Sequence, residues 1–111
     1  MKERAQARAR ELLGSEPQLE DDGANFLGRT SKSVFQLRGN GCLALGDEQL
    51  VFVMWWPRRE LVIDRSAITA VDTVKSHLGK SIGRPLLRVA FEGESAAWFV
   101  RSLDHWRAAL A

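Results

Sequence analysis

The sequence predicts a mainly β domain, a two-sheet barrel of about seven antiparallel strands with an N-terminal helical extension and a C-terminal helix that caps one end. Three observations predict this fold class. Short apolar runs alternate with turn residues from Ala24 onward, the turns align apolar residues on one face, and an amphipathic segment follows Ser102. With 111 residues, of which 45% are hydrophobic and 27% charged, the chain suits one folded domain.

Residues 1–21 are predicted to form an N-terminal helix and an acidic linker, and residues 22–111 the barrel. The stretch Lys2–Leu13 consists of good helix formers, and Gly14 suits the end of a helix. The stretch Glu16–Gly23 is acidic and poor in apolar residues, which predicts the linker. A weak apolar helix face is formed by Ala5, Ala9, Leu12 and Leu13.

Three turns predict that the first four strands form a meander. The first is a three-residue turn at Gly39–Gly41, with Gly41 in the left-handed conformation. The second and third are loops at Gly46–Gln49 and Trp56–Arg59, and Pro57 suits the first central position of a type I turn.

These turns predict which side chains face each other and which face the core. Leu43 is set opposite Phe52, Met54 opposite Leu61, and Val53 opposite Val62. We expect Trp56 in the core. The residues that share the inward face are Phe35, Leu37, Leu43, Leu45, Leu50, Phe52, Met54, Leu61 and Ile63.

The second half of the chain predicts three more strands and a helix. A less regular strand covers about Ile68–Val74. A tight turn at Gly93-Glu94 then sets Val89 opposite Trp98, with Leu87 and Phe91 on the same face. After Ser102, the apolar stripe of a helix is formed by Leu103, Trp106 and Leu110.

From Asp22 to Ala111, this layout resembles the pleckstrin-homology-like (PH-like) domain, particularly its bacterial and GRAM-type branch. The stretch Gly41–Val53 is similar to the family's G-x-L-x-L-T-x-x-x-L-x-F hairpin, except that Gly46 stands where the family usually has threonine. Further similarity lies in Ala24-Asn25-Phe26, in the stretch 60–71, and in Trp98, Phe99, Val100 and Trp106. The resemblance implies a barrel that binds proteins or lipid headgroups, with headgroups meeting the loops at its open end.

The composition predicts no catalytic chemistry, no cofactor and no metal site. One cysteine and two histidines leave few ligands for a metal ion, and no spacing suggests an acid–base pair. Gly79-Lys80-Ser81 is similar to the end of a phosphate-binding loop, but Val74 stands where the motif needs glycine. Cys42 is interpreted as a packed thiol.

Basic residues in three connections form a candidate anion-binding site. In a meander, alternate connections lie at one end, which predicts a basic end at the turns near Gly39 and Pro57 and the stretch 75–84. The candidate residues are Arg38, Arg58, Arg59, Lys75, Lys80 and Arg84. The opposite end is then acidic, with Asp47, Glu48, Asp64, Glu92 and Glu94 against Arg29, Lys32 and Arg65. Ordinary solvated turns explain the same pattern.

The reverse face of the first sheet carries a candidate interface of Val51, Val53, Trp55 and Val62. A sheet face in water normally alternates apolar and polar residues, so this strip predicts a cover. The alternatives are the N-terminal helix, a second copy of the chain, or a segment absent from this chain. Trp55 and Trp56 beside two arginines would also suit a membrane interface.

Together these features predict a non-catalytic PH-like adaptor or binding module. We expect it to bind a protein partner or an anionic membrane surface in the cytoplasm, with membrane association through a segment absent from this chain, and to form homo-oligomers. The alternative is a small β-barrel that binds nucleic acid, with Trp55 stacking on bases, although the net charge is only +2. A small-ligand carrier or an enzyme is the third interpretation.

Overall fold

The structure, a computed structural model, describes residues 2–30, 38–79 and 81–111. Two helices flank seven strands, and a short 3-10 helix, Arg65–Ala67, follows the fourth strand. The elements are α1 (Lys2–Leu13), β1 (Leu19–Arg29), β2 (Gly39–Leu45), β3 (Gln49–Met54), β4 (Glu60–Asp64), β5 (Ile68–Val74), β6 (Leu86–Phe91), β7 (Glu94–Phe99) and α2 (Leu103–Leu110). The predicted β-dominant fold with a helix at each end is confirmed.

Within the described residues, all seven strands belong to one antiparallel sheet in the order β4-β3-β2-β1-β7-β6-β5, where two sheets were predicted, because β1 pairs with both β2 and β7. The first part of β1 pairs with β2, its last part pairs with β7, and a bulge interrupts each pairing. Bulges bend a strand, and the sheet curves over its own apolar face. Phe52 on β3 and Trp98 on β7 therefore meet, with ring centroids 5.8 Å apart.

The inward face predicted from the sequence is the core of the molecule. All of its described members are buried in one cluster together with Trp106, and Leu103 and Leu110 pack against it. The predicted contact of α2 with the β core is therefore confirmed. Phe35 and Leu37 lie outside the described residues.

Two hairpins keep the predicted faces but shift in register by two residues. Phe52 pairs with Leu61, where Met54 was expected, and Leu87 pairs with Trp98, where Val89 was expected. The β6–β7 turn is Glu92-Gly93, because both of these residues have the positive φ that a type I′ turn needs. Since side chains alternate with period two, a shift of two residues leaves the core unchanged.

The linker predicted at Glu16–Gly23 is wrong from Leu19 onward, so the β region begins there and not at residue 22. Leu19 pairs with Leu45, and Asp21 pairs with Leu43. Asp21 is only 3% exposed, and its carboxylate accepts bonds from the backbone N–H groups of Gly23 and Arg101 and from the Arg101 guanidinium. The acidic stretch is therefore a strand whose buried acid fastens β1 to the end of β7.

The predicted turn at Gly39–Gly41 is also wrong, because β2 already begins at Gly39, which pairs with Phe26. Gly41 has a steric role instead. A Cβ atom built on it would lie 2.7 Å from the Phe52 ring and closer still to the Val53 carbonyl oxygen. The glycine is needed because the core aromatic ring lies directly against the strand.

Candidate functional site

The connection between β3 and β4, Trp55–Arg59, is the most exposed aromatic and basic segment that the structure describes. We call it the Trp56 loop. Backbone bonds close it on both sides: Trp55 N donates to Asn40 O at 2.9 Å, and Met54 N donates to Arg59 O at 2.8 Å. Arg58 and Arg59 are exposed. The loop thus presents its side chains from a fixed base.

Trp56 is 75% exposed, so the expectation that it lies in the core is wrong. The apolar run that includes it is longer than the strand: β3 ends at Met54, and the chain turns at Trp55. The Trp56–Pro57 peptide bond is cis. A large apolar ring in water next to two cations is the distinctive feature of this loop.

Arg38 belongs to the same end of the sheet as the Trp56 loop. It immediately precedes β2, whose residue Gly41 pairs with Met54 at the base of the loop. Its side chain is exposed and, within the described part of the chain, makes no ion pair, as is true of Arg58 and Arg59. The structure therefore places exposed Arg38 at the same end of the sheet as exposed Arg58 and Arg59.

The β5–β6 connection does not start at this end, so the expectation that alternate connections share one end is wrong for it. β7 pairs antiparallel with β1, and Thr30 N donates to Ser95 O at 2.9 Å, so the β6–β7 turn lies beside the end of β1. The β5–β6 connection must leave from the other end of β6. Glu94 consequently lies beside Arg29, with which it forms an ion pair at 2.7 Å.

The long β5–β6 connection nevertheless reaches back across the sheet. His77 is buried, and its Nε2–H donates to the carbonyl oxygen of Gly28 at 2.9 Å. Arg84 lies over the ring of Phe99, 5.7 Å from its centroid. Lys75 is exposed, and Lys80 lies outside the described residues. These contacts assign His77 and Arg84 to holding the connection on the sheet.

The apolar reverse face has the cover that the sequence predicts. Val51 and Val53 are fully buried under α1 of the same chain, and Trp55 packs at the border of this cluster. Val62, which pairs with Val51, is 43% exposed and lies beyond the cover. Of the three covers considered, the helix of the same chain occupies the strip.

Arg65 has a structural role that sequence reasoning missed when it counted this residue among the charges of the acidic end. Its guanidinium donates to the carbonyl oxygens of Gly46 at 3.0 Å and Ala109 at 2.9 Å, and to the side chain of Gln18 at 3.3 Å. It thereby joins the β2–β3 turn to the last turn of α2. No local sequence pattern predicts these contacts of Arg65, because its backbone partners are distant in sequence.

The described residues hold no group of three or more metal-ligating side chains, and none of their helices is long and apolar enough to cross a membrane. Cys42 is fully buried, and desolvation together with the nearby negative charge of Glu20 raises the pKa of its thiol to about 12. The thiol is therefore protonated at neutral pH and a poor nucleophile.

Comparisons with known proteins identify the fold alone. No family model matches the chain, and no curated protein matches it. Among solved structures, it is similar to the crystal structure of the C-terminal domain of an unknown protein from Leishmania infantum. The two share 15% sequence identity with a TM-score of 0.66, over 95% of this chain and 93% of that chain.

Proposed function

We propose that this chain is a non-catalytic PH-like binding module that docks on an anionic membrane surface through the Trp56 loop. The observation that carries the proposal is the 75% exposure of Trp56 beside the exposed cations Arg58 and Arg59, with exposed Arg38 at the same end of the sheet. Tryptophan is favoured at the level of lipid headgroups, and arginine is attracted by anionic lipids. The loop combines both in one fixed segment.

The fold supports the PH-like assignment. Seven antiparallel strands enclose one apolar core, and the C-terminal helix contributes Trp106 to it. The buried core side chains are bulky and apolar, which favours a surface site over an internal ligand cavity. The single unpaired thiol of Cys42 is in keeping with docking from the cytoplasmic side.

Nucleic-acid binding is the second candidate function, but the structure changes which tryptophan could stack on a base. Trp55, the expected stacking residue, is half-buried beside α1, whereas Trp56 is free to stack. Single-stranded nucleic acid would then use Trp56 with the same three arginines. The low net charge of +2 makes this candidate the weaker one.

The test is flotation of the protein with phosphatidylcholine vesicles, with and without phosphatidylserine. We expect binding only to the anionic vesicles. The double reversal Arg58→Glu with Arg59→Glu should weaken it by about 30-fold to 1,000-fold, because each basic residue near such a surface contributes about 1 kcal/mol. Trp56→Ala should weaken it further. Salt should also weaken it, since exposed charges are screened over about 8 Å at physiological ionic strength.

The matched control is Arg4→Glu with Arg107→Glu, which makes the same change of charge on exposed helical residues outside the loop. This control should keep most of the binding. If both double variants lose the same amount of binding to anionic vesicles, net charge alone explains the loss, and the loop is not the site. If wild type ignores anionic vesicles at low salt, the lipid function fails and a protein partner becomes the better proposal. Salt-sensitive capture of single-stranded nucleic acid that needs Trp56 would favour the second candidate.

A further inference from the structure

The contact between α1 and the sheet is made of small side chains. Ala5 and Ala9 are its only fully buried helix residues among those described, and Leu12 and Leu13 are partly buried. Opposite them lie Cys42, Ala44, Val51 and Val53. A methyl group removes little apolar area from water, so the fully buried side chains of α1 itself contribute little apolar area to this layer.

This layer is also separate from the main core. The buried cluster that joins β1–β7 and α2 contains no residue of α1, and the cluster under α1 contains none of the core aromatic residues. Segments that share few buried contacts with the rest of a domain can open without global unfolding. The packing therefore allows α1 to leave while the barrel stays folded.

Ion pairs along both sides of α1 add to its attachment. Arg8 bonds Glu60 at the start of β4 at 2.7 Å, and Arg10 lies 3.3 Å from Glu20 on β1. A third pair joins Lys2 to Asp22 at 3.4 Å. The three basic side chains are 38–48% exposed, so added salt screens these pairs.

The chain between α1 and β1 can act as a hinge. Gly14 ends the helix with φ at +73°, and Gly14, Ser15 and Glu16 are exposed. A Cβ atom built on Gly14 would meet nothing within 4 Å. The chain rejoins the sheet only at Gln18, whose N–H donates to Leu45 O at 2.7 Å.

We propose that α1 is a salt-sensitive strap that opens as a unit, uncovers the strip of Cys42, Ala44, Val51 and Val53, and leaves the barrel folded. Opening frees the basic side chains of α1 and the carboxylates of β1 and β4 at the same time. Ionic surroundings thereby control access to an apolar face of the sheet. The proposal concerns the reverse face of the sheet and does not rest on docking to a membrane, although Trp55 at the base of the Trp56 loop borders the covered strip.

Cys42 reports the opening, because it is the only cysteine of the chain and lies fully buried under α1. Its rate of reaction with 5,5′-dithiobis(2-nitrobenzoic acid) is measured in low urea across a series of NaCl concentrations. Global unfolding is followed in parallel by tryptophan fluorescence. We expect labelling to depend much less steeply on urea than global unfolding does, and to accelerate with NaCl.

Two charge-matched variants test the role of the ion pairs. Arg8→Gln removes the bonds to Glu60 and Glu11, whereas Arg4→Gln removes an exposed cation that makes no ion pair within the described residues. Arg8→Gln should raise the labelling rate about two- to fivefold, as expected for the loss of an exposed ion pair. Arg4→Gln should leave the rate close to that of wild type.

Either of two results would overturn the proposal. One is a labelling rate whose urea dependence equals that of global unfolding, because Cys42 would then become accessible only when the barrel unfolds. The other is equal labelling of the two arginine variants together with indifference to NaCl, which would remove the ionic control. Arg4 is exposed and Arg8 is partly exposed on the helix, so circular dichroism should show an unchanged barrel in each variant.

Discussion

Replacing Gly41 by alanine should destabilise the protein strongly, although the residue lies in a regular strand. The added Cβ would lie 2.7 Å from two carbon atoms of the Phe52 ring and closer to Val53 O, which belongs to the paired strand. The Phe52 ring cannot withdraw freely, because its centroid lies 5.1 Å from that of Phe26 and 5.8 Å from that of Trp98. The clash must therefore be relieved by moving backbone or core aromatics.

Such overpacking costs about 1–3 kcal/mol and sometimes more, and contact with a backbone atom favours the upper end. Alanine recovers about 0.5–1 kcal/mol of chain entropy relative to glycine. The net loss for Gly41→Ala should be about 2–2.5 kcal/mol, which corresponds to a fall in Tm of about 8–10 °C for a chain of this size.

Gly39→Ala is the matched control, two residues earlier on the same strand and the same face. The three atoms nearest its Cβ all belong to the flexible side chain of Met54, with the sulfur atom at 3.4 Å. This variant should stay within about 0.5 kcal/mol of wild type. Urea unfolding followed by tryptophan fluorescence measures both. If the two variants differ by less than about 1 kcal/mol, the steric role assigned to Gly41 is wrong.

Two further changes test the core and the buried thiol. Trp106→Ala should lower the free energy of unfolding by about 3–5 kcal/mol, since Trp106 is fully buried, whereas the exposed neighbour Arg107→Ala should change it by under about 0.5 kcal/mol. Burial and Glu20 raise the pKa of the Cys42 thiol from 9.0 to about 12, so its protonated form stabilises the fold fully below pH 9 and progressively less above it. Between pH 9 and about 12, the free energy of unfolding of wild type should therefore fall relative to that of Cys42→Ala. A difference between the two proteins that stays constant with pH would contradict the buried environment assigned to the thiol.

The core could be predicted from the sequence because side-chain alternation tolerates some errors. Placing Met54 opposite Leu61 was wrong by two residues, yet both side chains were assigned to the correct face and both are buried. Turn chemistry alone did not fix the register. The two-residue turn at Glu92-Gly93 needs positive φ at both positions, and glutamate gives little sign of adopting it.

The first strand could not be predicted, because its sequence lacks the usual alternation. Glu20 and Asp22 read as linker residues, but each of them lies beside a basic side chain of α1. These partners approach each other only in the folded chain, so the local sequence does not reveal them. The role of Asp21 could not be predicted either, since its partner Arg101 lies near the other end of the chain.

The candidate site could be predicted only in part, because some of its residues are placed by local turns and others by strand pairing between distant parts of the chain. Arg58 and Arg59 were identified from a local turn, and the structure places Arg38 beside them through the pairing of β2 with β3. The location of the β5–β6 connection depends instead on the pairing of β1 with β7, which joins strands from opposite ends of the chain. Trp56 was assigned to the core because the sequence of an apolar run does not show at which residue the strand ends.

One residue of the sequence, Gly46, does relate to the packing of α1 over the sheet. Gly46 departs from the threonine that is usual in the resembling family, and a Cβ atom there would lie 2.8 Å from a methyl carbon of Leu13. The glycine lets the last turn of α1 approach the β2–β3 turn, whose carbonyl oxygen at Gly46 also binds Arg65. A side chain at this position would have to push the Leu13 methyl group aside. The missing side chain at Gly46 and the apolar reverse face of the sheet thus both fit the helix packed over them.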